Sequence, residues 1–350
     1  MPGLISTETE NAKILYIGDS GHGKTGSKAA LVAMGYKLRM VDTDNGFKIL
    51  RALLTDAEHY PYASWMKKTG IDPLEPGRIS YIPIDVPIDT QSRSVQRKSG
   101  SVSYEVLAPA SSKAWSTVVS ILNTGWMDSE QGNLGLITDW EPDTVLDFDT
   151  LSTLSELAMY WNQDMNSRLG SLEDDHGRDT GAAQELIRRL MLKLTNPSVH
   201  CNVIATTHIT RADVSRGAAL SPEQILRAAA EKHVTANLDA RGFPSAIGRA
   251  LSPVMGKRWN DLFICDRAGS GQNTERRIYS VPVNNTDAKH SVWVEDSYPI
   301  DTGLASIFAA LRYQPPPEEF LEHVAKFKAE RSGSSTTNAP AASPFGGFRR

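Results

Sequence analysis

A glycine-rich octapeptide, GDSGHGKT at residues 18–25, limits the folds open to this chain more than any other segment. It fits the pattern G-x-x-x-x-G-K-[ST], whose glycines let the backbone curl until successive N–H groups point at phosphate oxygens. The apolar run Lys13–Ile17 predicts a strand before it, and Ala29–Met34 predicts a helix after it. The N-terminus of a helix adds positive partial charge at the same point. The octapeptide therefore predicts a loop that binds the phosphates of a nucleotide.

The residue types of this loop predict separate roles toward ATP and Mg²⁺. The Lys24 ammonium is expected to reach the β- and γ-phosphates, which makes it a candidate catalytic residue, and the Thr25 hydroxyl is expected to ligate Mg²⁺. The residues expected to bind the nucleotide here are Gly18, Asp19, Ser20, Gly21, His22, Gly23, Lys24, Thr25 and Gly26.

The composition is that of an ordinary globular chain and excludes several classes of protein. The 350 residues allow one large domain or two small ones, and the net charge of −4 means that nucleic-acid binding needs a local basic patch. Cys201 and Cys265 lie in apolar runs, which predicts buried thiols in a reducing compartment. No apolar run approaches the roughly 20 residues of a membrane span, and the N-terminus has no signal-peptide pattern. We expect a cytoplasmic protein without membrane contact.

Strand-like and helix-like segments alternate along the chain, which predicts an α/β fold with a mostly parallel central sheet. The segments expected to form core strands after the glycine loop are 38–42, 144–149, 201–207, 261–266 and 277–281. The segments expected to form helices are 151–169, 182–194 and 318–331.

Residues from about 55 to 140 are expected to form an elaboration inserted into this core. The elaboration would contain a hairpin between 79–84 and 102–106 and a helix near 114–122. The polar stretch 90–101 is expected to be a mobile loop.

Residues 1–331 are expected to form a single domain followed by a disordered tail. From 332 to 350 the composition narrows to Ser, Thr, Ala, Pro and Gly, which cannot supply a packed core. The segment 344–350 nevertheless holds two aromatic residues and two arginines after a polar spacer. This pattern predicts either a tethered motif that binds DNA or a single-stranded-DNA-binding protein, or an inert soluble end.

A P-loop ATPase also needs an acidic residue on a neighbouring strand, to hold the water shell of Mg²⁺. Asp149, at the end of the segment 144–149, is our first candidate as metal ligand and catalytic residue, and Asp147 is the second. Side chains alternate along a strand, so both lie on one face. Asp149 lies nearer the carboxyl ends of the strands, where open α/β sheets bind ligands. The alternative is that one of these carboxylates only caps the following helix.

Two further strand ends supply candidates around the γ-phosphate. Asp44 is expected to orient the attacking water, with Asp42 as second choice, and an Asx-turn that closes the strand is the alternative. Thr207 and His208 end another core strand at the same sheet edge and are expected to sense the γ-phosphate. Paired threonines are equally ordinary in a strand that has no such role.

The order of these motifs resembles that of the RecA-like ATPases encoded by bacteriophages, including the RecA/RadA-related single-strand annealing proteins. The motifs that carry the resemblance are the glycine loop and the segments 40–46, 149–151, 206–208 and 248–253. The resemblance spans roughly residues 12–285 and implies a RecA-like P-loop NTPase core that binds ATP and Mg²⁺ as an oligomer, either a filament or a ring. In that family a glutamate activates water at the position held here by Asp44, which is one methylene shorter.

The resemblance also implies two DNA-facing loops. The first, at 170–181, carries an acidic run that suits phosphates poorly. The second, at 209–258, holds eight basic and four acidic residues, which suits sequence-independent contact with single-stranded DNA. The alternative for this segment is a solvated helical insertion at 221–231. The residues expected to contact DNA are Arg211, Arg216, Arg241, Arg249, Lys257 and Arg258.

RecA-like sites usually lie between subunits, so the resemblance implies that a neighbour supplies a cation to the transferring phosphoryl group. Arg267, Arg276 and Arg277 flank the turn at 269–271 and are the candidates, with Arg267 and Arg277 taken as catalytic. Ordinary exposed arginines of a hairpin are the alternative.

These features together predict a DNA-dependent ATPase of phage recombination or replication that acts on single-stranded DNA as an oligomer. Two alternatives stay open. One is a hexameric DNA motor, such as a helicase or a packaging ATPase. The other is an assembly protein that ATP switches with little hydrolysis.

Overall fold

The computed structural model describes residues 11–84, 91–96, 102–107, 111–166, 177–213, 218–219, 240–247, 250–268, 275–315 and 317–334. In chain order the strands are β1 (Lys13–Ile17), β2 (Lys37–Asp42), β3 (Ile79–Pro83), β4 (Gln91–Gln96), β5 (Val102–Leu107), β6 (Met127–Asp128), β7 (Gly132–Asn133), β8 (Thr144–Asp149), β9 (Asn202–Thr207), β10 (Ile209–Asp213), β11 (Ala218–Ala219), β12 (Ala240–Pro244), β13 (Asp261–Ala268), β14 (Glu275–Tyr279) and β15 (Ser297–Pro299).

The helices alternate with these strands. They are α1 (Lys24–Ser27), α2 (Ala29–Ala33), α3 (Phe47–Thr55), α4 (Pro61–Thr69), α5 (Ser111–Thr124), α6 (Leu151–Met165), α7 (Arg178–Leu194), α8 (Ser252–Met255), α9 (Gly303–Leu311) and α10 (Glu318–Ser334), with a 3₁₀ turn at Gly256–Arg258. None of the helices in the described ranges is long and apolar enough to cross a membrane.

An eight-stranded sheet forms the centre of the protein, in the order β15-β14-β13-β1-β9-β8-β2-β3. The strands from β13 to β3 are parallel, and β14 and β15 join antiparallel at one edge. This confirms the mixed α/β fold with a mostly parallel sheet that the sequence predicts for a RecA-like P-loop core. Because the parallel strands share one direction, β1 and β8 end at the same edge, with β9 between them.

Helices cover both faces of the sheet, which explains why its strands read as continuous apolar runs. On one face Leu15 and Phe148 pack against apolar side chains of α5, α6 and α7. On the other face Ile14 and Tyr16 pack against α2, α3, α4, α9 and α10. Asp147 and Asp149 break the apolar pattern of β8 although both are buried.

The hairpin predicted between 79–84 and 102–106 was wrong in its pairing. β3 lies in the central sheet, parallel to β2, with Val41 opposite Ile82. β5 instead pairs antiparallel with β4, which lies within the polar stretch predicted to be a loop. Strand-forming residues mark a strand in the sequence, but its partner is decided by contacts between distant segments.

The segment 209–258, predicted to be a long loop, contains regular structure where it is described. β10, β11 and β12 form a three-stranded antiparallel sheet, and α8 and the 3₁₀ turn follow. The predicted helix at 221–231 lies outside the described residues.

The last helix, α10, runs to Ser334, three residues beyond its predicted end. The rest of the predicted tail lies outside the described residues.

Candidate functional site

The glycine loop connects β1 to α1 in the conformation that its glycines allow. The amide of Gly18 donates to the carbonyl oxygen of Thr207 at 3.1 Å, which anchors the start of the loop to β9. A Cβ at position 18 would lie 2.5 Å from the carbonyl oxygen of Cys265, so any side chain there would clash with β13. Gly23, directly before α1, has a φ of 95°, which residues with a Cβ rarely adopt.

The side chains of the loop divide between the cleft and the protein interior. Ser20, Lys24 and Thr25 line a cleft together with Gly21, Gly23 and Gly26. The Lys24 ammonium donates to the carbonyl oxygens of Gly18 and Asp19, and burial lowers the pKa of Lys24 although Asp149 opposes this shift. His22 is buried instead, with Nδ1 at 3.0 Å from the carbonyl oxygen of Cys265. The structure therefore places His22 as a support of the loop.

Thr25 meets Asp149 across the sheet edge, with 2.5 Å between Oγ1 and Oδ2. The other carboxylate oxygen of Asp149 accepts from Thr206 Oγ1 at 2.6 Å. Thr206 was not among the predicted site residues, whereas its neighbour Thr207 was. Thr206 lies opposite Tyr16 of β1, and because side chains alternate along a strand, Thr206 and Thr207 lie on opposite faces of the sheet.

The oxygen donors at this point fit Mg²⁺. A hydroxyl and an ionised carboxylate are hard ligands of the kind the ion prefers. In the described part of the chain no three His, Cys, Asp or Glu side chains converge as a metal cluster. An ion would therefore rely on Thr25, Asp149, water and the phosphates of a nucleotide, which is the usual pattern for Mg²⁺.

A lysine that the sequence analysis overlooked lies beneath this contact. Lys28 Nζ donates to Asp147 Oδ2 at 2.6 Å and to Asp149 Oδ2 at 3.0 Å, and none of its side chain is exposed. Burial raises the pKa of Asp147 to about 7, although Lys28 opposes the shift. Burial acts in the same direction on Asp149, but Lys28, Thr206 and Thr25 outweigh it and lower its pKa to about 2. In the sequence, Lys28 directly precedes the apolar run Ala29–Met34 that follows the loop.

The two aspartates of β8 do different things, and neither caps the next helix. Asp149 lines the cleft, whereas Asp147 is wholly buried behind it. The N-cap of α6 is Thr150, whose hydroxyl accepts from the amide of Thr153 at 3.2 Å. The peptide bond between Asp149 and Thr150 is cis.

Asp42 and Asp44 also separate into a structural and a cleft-facing residue. The Asp42 carboxylate accepts three backbone amides, from Asp44, Gly46 and Phe47, and so closes the strand as an Asx-type turn. Asp44 lines the cleft, and Oδ1 accepts from Thr153 Oγ1 at 2.9 Å.

Asp44 also faces a histidine. Its Oδ2 lies 3.7 Å from His208 Nε2. The nearby His208 side chain, and then hydrogen bonds from Thr153 and Thr43, lower the pKa of Asp44. Asp44 is therefore ionised near neutral pH and holds an acceptor oxygen toward the cleft.

Of the two residues predicted to sense the γ-phosphate, His208 lines the cleft and Thr207 does not. Thr207 is wholly buried and, by the alternation of the strand, faces the side of Ile17. The Thr207 side chain therefore lies on the opposite face of the sheet from that of Thr206. Its contact with the loop is made by its backbone carbonyl.

Of the three arginine candidates, Arg276 lies at the glycine loop. It lines the cleft, and its Cδ lies 3.2 Å from the point where a Cβ on Gly23 would be. Arg277 turns away and donates to Ser297 Oγ at 2.9 Å and to Glu275 at 2.8 Å. Arg267 is exposed on β13 and, like Arg277, does not line the cleft. The structure thus brings neither Arg267 nor Arg277 to the site of this chain.

The basic residues predicted to bind DNA are spread over the small sheet and the turn after it. Arg211 donates to the carbonyl oxygen of Asn284 at 3.0 Å, and Arg241 pairs with Asp287 at 2.8 Å. Lys257 and Arg258 are exposed on the 3₁₀ turn. Arg216 and Arg249 lie outside the described residues.

The cleft has a volume of about 830 Å³, within the usual range for a small-molecule site. Its far wall comes from the last helix, which sequence reasoning treated only as the end of the domain. Phe327, Lys328 and Arg331 of α10 line this wall. Lys328 pairs with Asp301, and Arg331 donates to the carbonyl oxygen of Glu58 at 2.6 Å.

Comparisons with known proteins give similarities to solved structures. The flagellar accessory protein FlaH from Methanocaldococcus jannaschii is 11% identical, with 83% of this chain and 84% of that chain covered and a TM-score of 0.36. The RadB recombinase is 10% identical, with 77% of this chain and 81% of that chain covered and a TM-score of 0.33. A KaiC-like protein from Pyrococcus horikoshii is 12% identical, with 83% of this chain and 85% of that chain covered and a TM-score of 0.33. No family model and no curated protein sequence matches the chain.

Proposed function

We propose that this protein hydrolyses ATP with Mg²⁺ and that single-stranded DNA stimulates the reaction. The observation that carries the proposal is the convergence of Lys24, Thr25, Asp149 and Asp44 on one cleft at the carboxyl edge of a parallel sheet. Transfer of a phosphoryl group to water needs a phosphate cradle, a metal site and a group that orients the water. These residues supply all three.

The glycine loop would bind the phosphates. Gly21, Gly23 and Lys24 of the loop line the cleft, and the Lys24 ammonium would exchange its two loop carbonyl acceptors for phosphate oxygens. Charged acceptors hold an ammonium more strongly than carbonyls do. This exchange would move Lys24 from its own loop onto the nucleotide.

Thr25 and Asp149 would hold Mg²⁺. When bound, the ion neutralises negative charge on the β- and γ-phosphates. Asp149 is suited to this position because its low pKa keeps it ionised, so both of its oxygens remain acceptors.

Asp44 would orient the attacking water. Thr153 and Thr43 hold one carboxylate oxygen, and the second faces His208. The water would donate a hydrogen bond to Asp44 and pass its proton there as the new bond to phosphorus forms and ADP leaves.

The direct connection between the cleft and the small sheet of β10, β11 and β12 supports a role for DNA. His208, which contacts Asp44, is followed directly by Ile209, the first residue of β10, and β10 carries Arg211. A DNA strand bound to this small sheet would lie next to the residue that adjoins the water-orienting carboxylate. Phosphate release measured with and without single-stranded DNA tests this link.

The expected result is faster phosphate release with DNA, and a smaller stimulation ratio in Lys257→Glu/Arg258→Glu. The matched control is Arg188→Glu, an exposed arginine on α7 paired with Glu185, which should keep the stimulation ratio. Hydrolysis that DNA does not change would instead favour the ATP-switched assembly protein. A wild-type protein that binds no ATP would contradict the whole proposal.

The resemblance to phage RecA-like ATPases adds the expectation of an oligomer that works in recombination or replication. Negative-stain microscopy with ATP and DNA distinguishes the forms: filaments or short multimers support this role, and closed hexameric rings support a DNA motor.

The segment 344–350 is proposed to recruit DNA or a single-stranded-DNA-binding protein. Truncation after residue 334 should lower DNA binding or this recruitment.

A further inference from the structure

The buried ammonium of Lys28 shares an oxygen with the proposed metal site. Asp149 Oδ2 accepts from Lys28 Nζ at 3.0 Å and from Thr25 Oγ1 at 2.5 Å. The same oxygen is therefore held by the lysine and lies beside the hydroxyl that would ligate the ion. A cation fixed at this place lowers the negative charge that a metal ion meets.

Asp147 completes the arrangement from behind. Its Oδ2 accepts from Lys28 at 2.6 Å, but its Oδ1 is buried and has no hydrogen-bond partner among the described residues. An unsatisfied buried carboxylate oxygen costs stability, and apolar residues often replace buried ion pairs without loss. A contribution to fold stability therefore does not explain why the charged pair of Lys28 and Asp147 is buried here.

We infer that Lys28 is a positioning residue for the metal. Its ammonium reduces the negative charge that Asp149 presents to the ion, and Asp147 weakens this effect because it accepts a hydrogen bond from the same ammonium. The inference rests on the proposed function, because it assumes that Mg²⁺ binds at Thr25 and Asp149. Lys28 is wholly buried and does not line the cleft, so it would act on the ion through the two carboxylates.

Counting charges gives an order of metal affinities. Lys28 with both aspartates carries a net charge of −1, since one ammonium faces two carboxylates. Asp147→Asn brings the net charge to zero, and Lys28→Met brings it to −2. The double variant Lys28→Met/Asp147→Asn returns it to −1. Metal affinity should follow this charge, because the groups interact over a few ångströms in a partly buried site.

The test uses Mn²⁺ as the probe and measures its binding by electron paramagnetic resonance at pH 8, with a non-hydrolysable ATP analogue bound. Asp147→Asn should weaken Mn²⁺ binding by at least about tenfold, and Lys28→Met should tighten it by about as much. The double variant should remain within about threefold of the wild type. If Lys28→Met alone does not fold, the comparison of Asp147→Asn with the double variant still decides the order.

Lys13→Met is the matched control. Lys13 is also a buried lysine, but its Nζ donates to the carbonyl oxygens of Val199 and Cys201 at the opposite end of the sheet. This variant should lower stability and leave Mn²⁺ affinity unchanged. Equal Mn²⁺ affinity in all folded variants would overturn the inference alone. A wild type that binds neither the analogue nor Mn²⁺ would overturn the inference and the proposed function together.

Discussion

The hydroxyl of Thr25 donates a hydrogen bond to the carboxylate of Asp149, with 2.5 Å between the two oxygens, although the two residues are 124 positions apart in the chain. They meet because β1 and β8 end at the same edge of the sheet, separated by β9. The contact joins the glycine loop to the acidic strand end. It marks the place where the proposed metal ion would bind.

Lys24→Ala should weaken ATP binding by at least about 30-fold, because truncating one partner of a buried charged contact costs about 2 kcal/mol or more. Binding of a fluorescent ATP analogue measures the effect, and far-ultraviolet circular dichroism confirms the fold. The control is Lys48→Ala, an exposed lysine on α3 that does not line the cleft. Unchanged turnover in a folded Lys24→Ala protein would contradict the proposed function.

Asp149→Asn should lower Mg²⁺-dependent turnover by more than about 100-fold, and Asp147→Asn by about tenfold. The difference follows from position, since Asp149 faces the ion and Asp147 acts through Lys28, as residues that support a ligand do. A titration of turnover with Mg²⁺ measures both effects. The reverse ranking would mean that the metal lies deeper, at Asp147.

Asp44→Asn should lower kcat by about 10²- to 10⁴-fold, the usual range for losing a general base, while ATP affinity stays within about threefold of the wild type. Asp44→Glu should keep measurable turnover, because it retains the carboxylate. Steady-state kinetics together with equilibrium ATP binding separate the two effects. A large loss of ATP affinity in Asp44→Asn would identify Asp44 as a phosphate or metal ligand instead.

Arg276→Ala should lower kcat by about 10²- to 10³-fold, the range found when a donor to a developing charge is removed. Arg267→Ala and Arg277→Ala are the matched controls and should have smaller effects, because neither residue lines the cleft.

Arg276 is also expected to act within its own chain, since it lies beside that chain's glycine loop. Mixing Arg276→Ala subunits with Lys24→Ala subunits should therefore restore no activity. Restored activity in mixed oligomers would show that Arg276 acts on a neighbour's nucleotide.

Lys13 should make stability depend on pH in the alkaline range. Burial lowers its pKa to about 8, from 10.5, so between these values the folded state binds fewer protons than the unfolded state. The free energy of unfolding therefore rises with pH across this window. Burial raises the pKa of the Cys201 and Cys265 thiols to about 11, which acts in the opposite direction.

Comparing the wild type with Lys13→Met measures the titration of the lysine together with its charge coupling to Cys201. The stability difference should shift in favour of the wild type by about 3 kcal/mol between pH 7.5 and 10.5. Urea unfolding at several pH values measures it. A difference that does not change with pH would mean that Lys13 titrates near its ordinary pKa in the folded protein.

Features that depend on neighbouring residues were predicted well from the sequence. Thr144–Asp149 was predicted as a strand and observed with the same bounds, because a short apolar run between polar segments suits a buried parallel strand. The glycine loop could be predicted because its left-handed and close-approach positions admit only glycine, as at Gly23 and Gly18. These requirements act within a few residues and leave a direct mark on the sequence.

The choice among candidate side chains was decided by tertiary structure. Asp42 and Asp44 are two residues apart, yet one closes a turn and the other faces the cleft. Arg276 reaches the glycine loop, whereas the adjacent Arg277 points to Ser297. Neighbours along a strand or turn point in different directions, so a composition pattern does not distinguish them.

The sequence by itself determined a phosphate-binding loop on an α/β core, because periodicity and glycine geometry are local properties. Tertiary structure decided that Lys28 lies between Asp147 and Asp149 and that Thr206 holds the metal-facing carboxylate. These contacts join segments more than 50 residues apart, and only the register of β1, β9 and β8 brings them together. The physical reason is that burial and charge pairing in the sheet depend on which strands become neighbours, and residue order along the chain does not specify this.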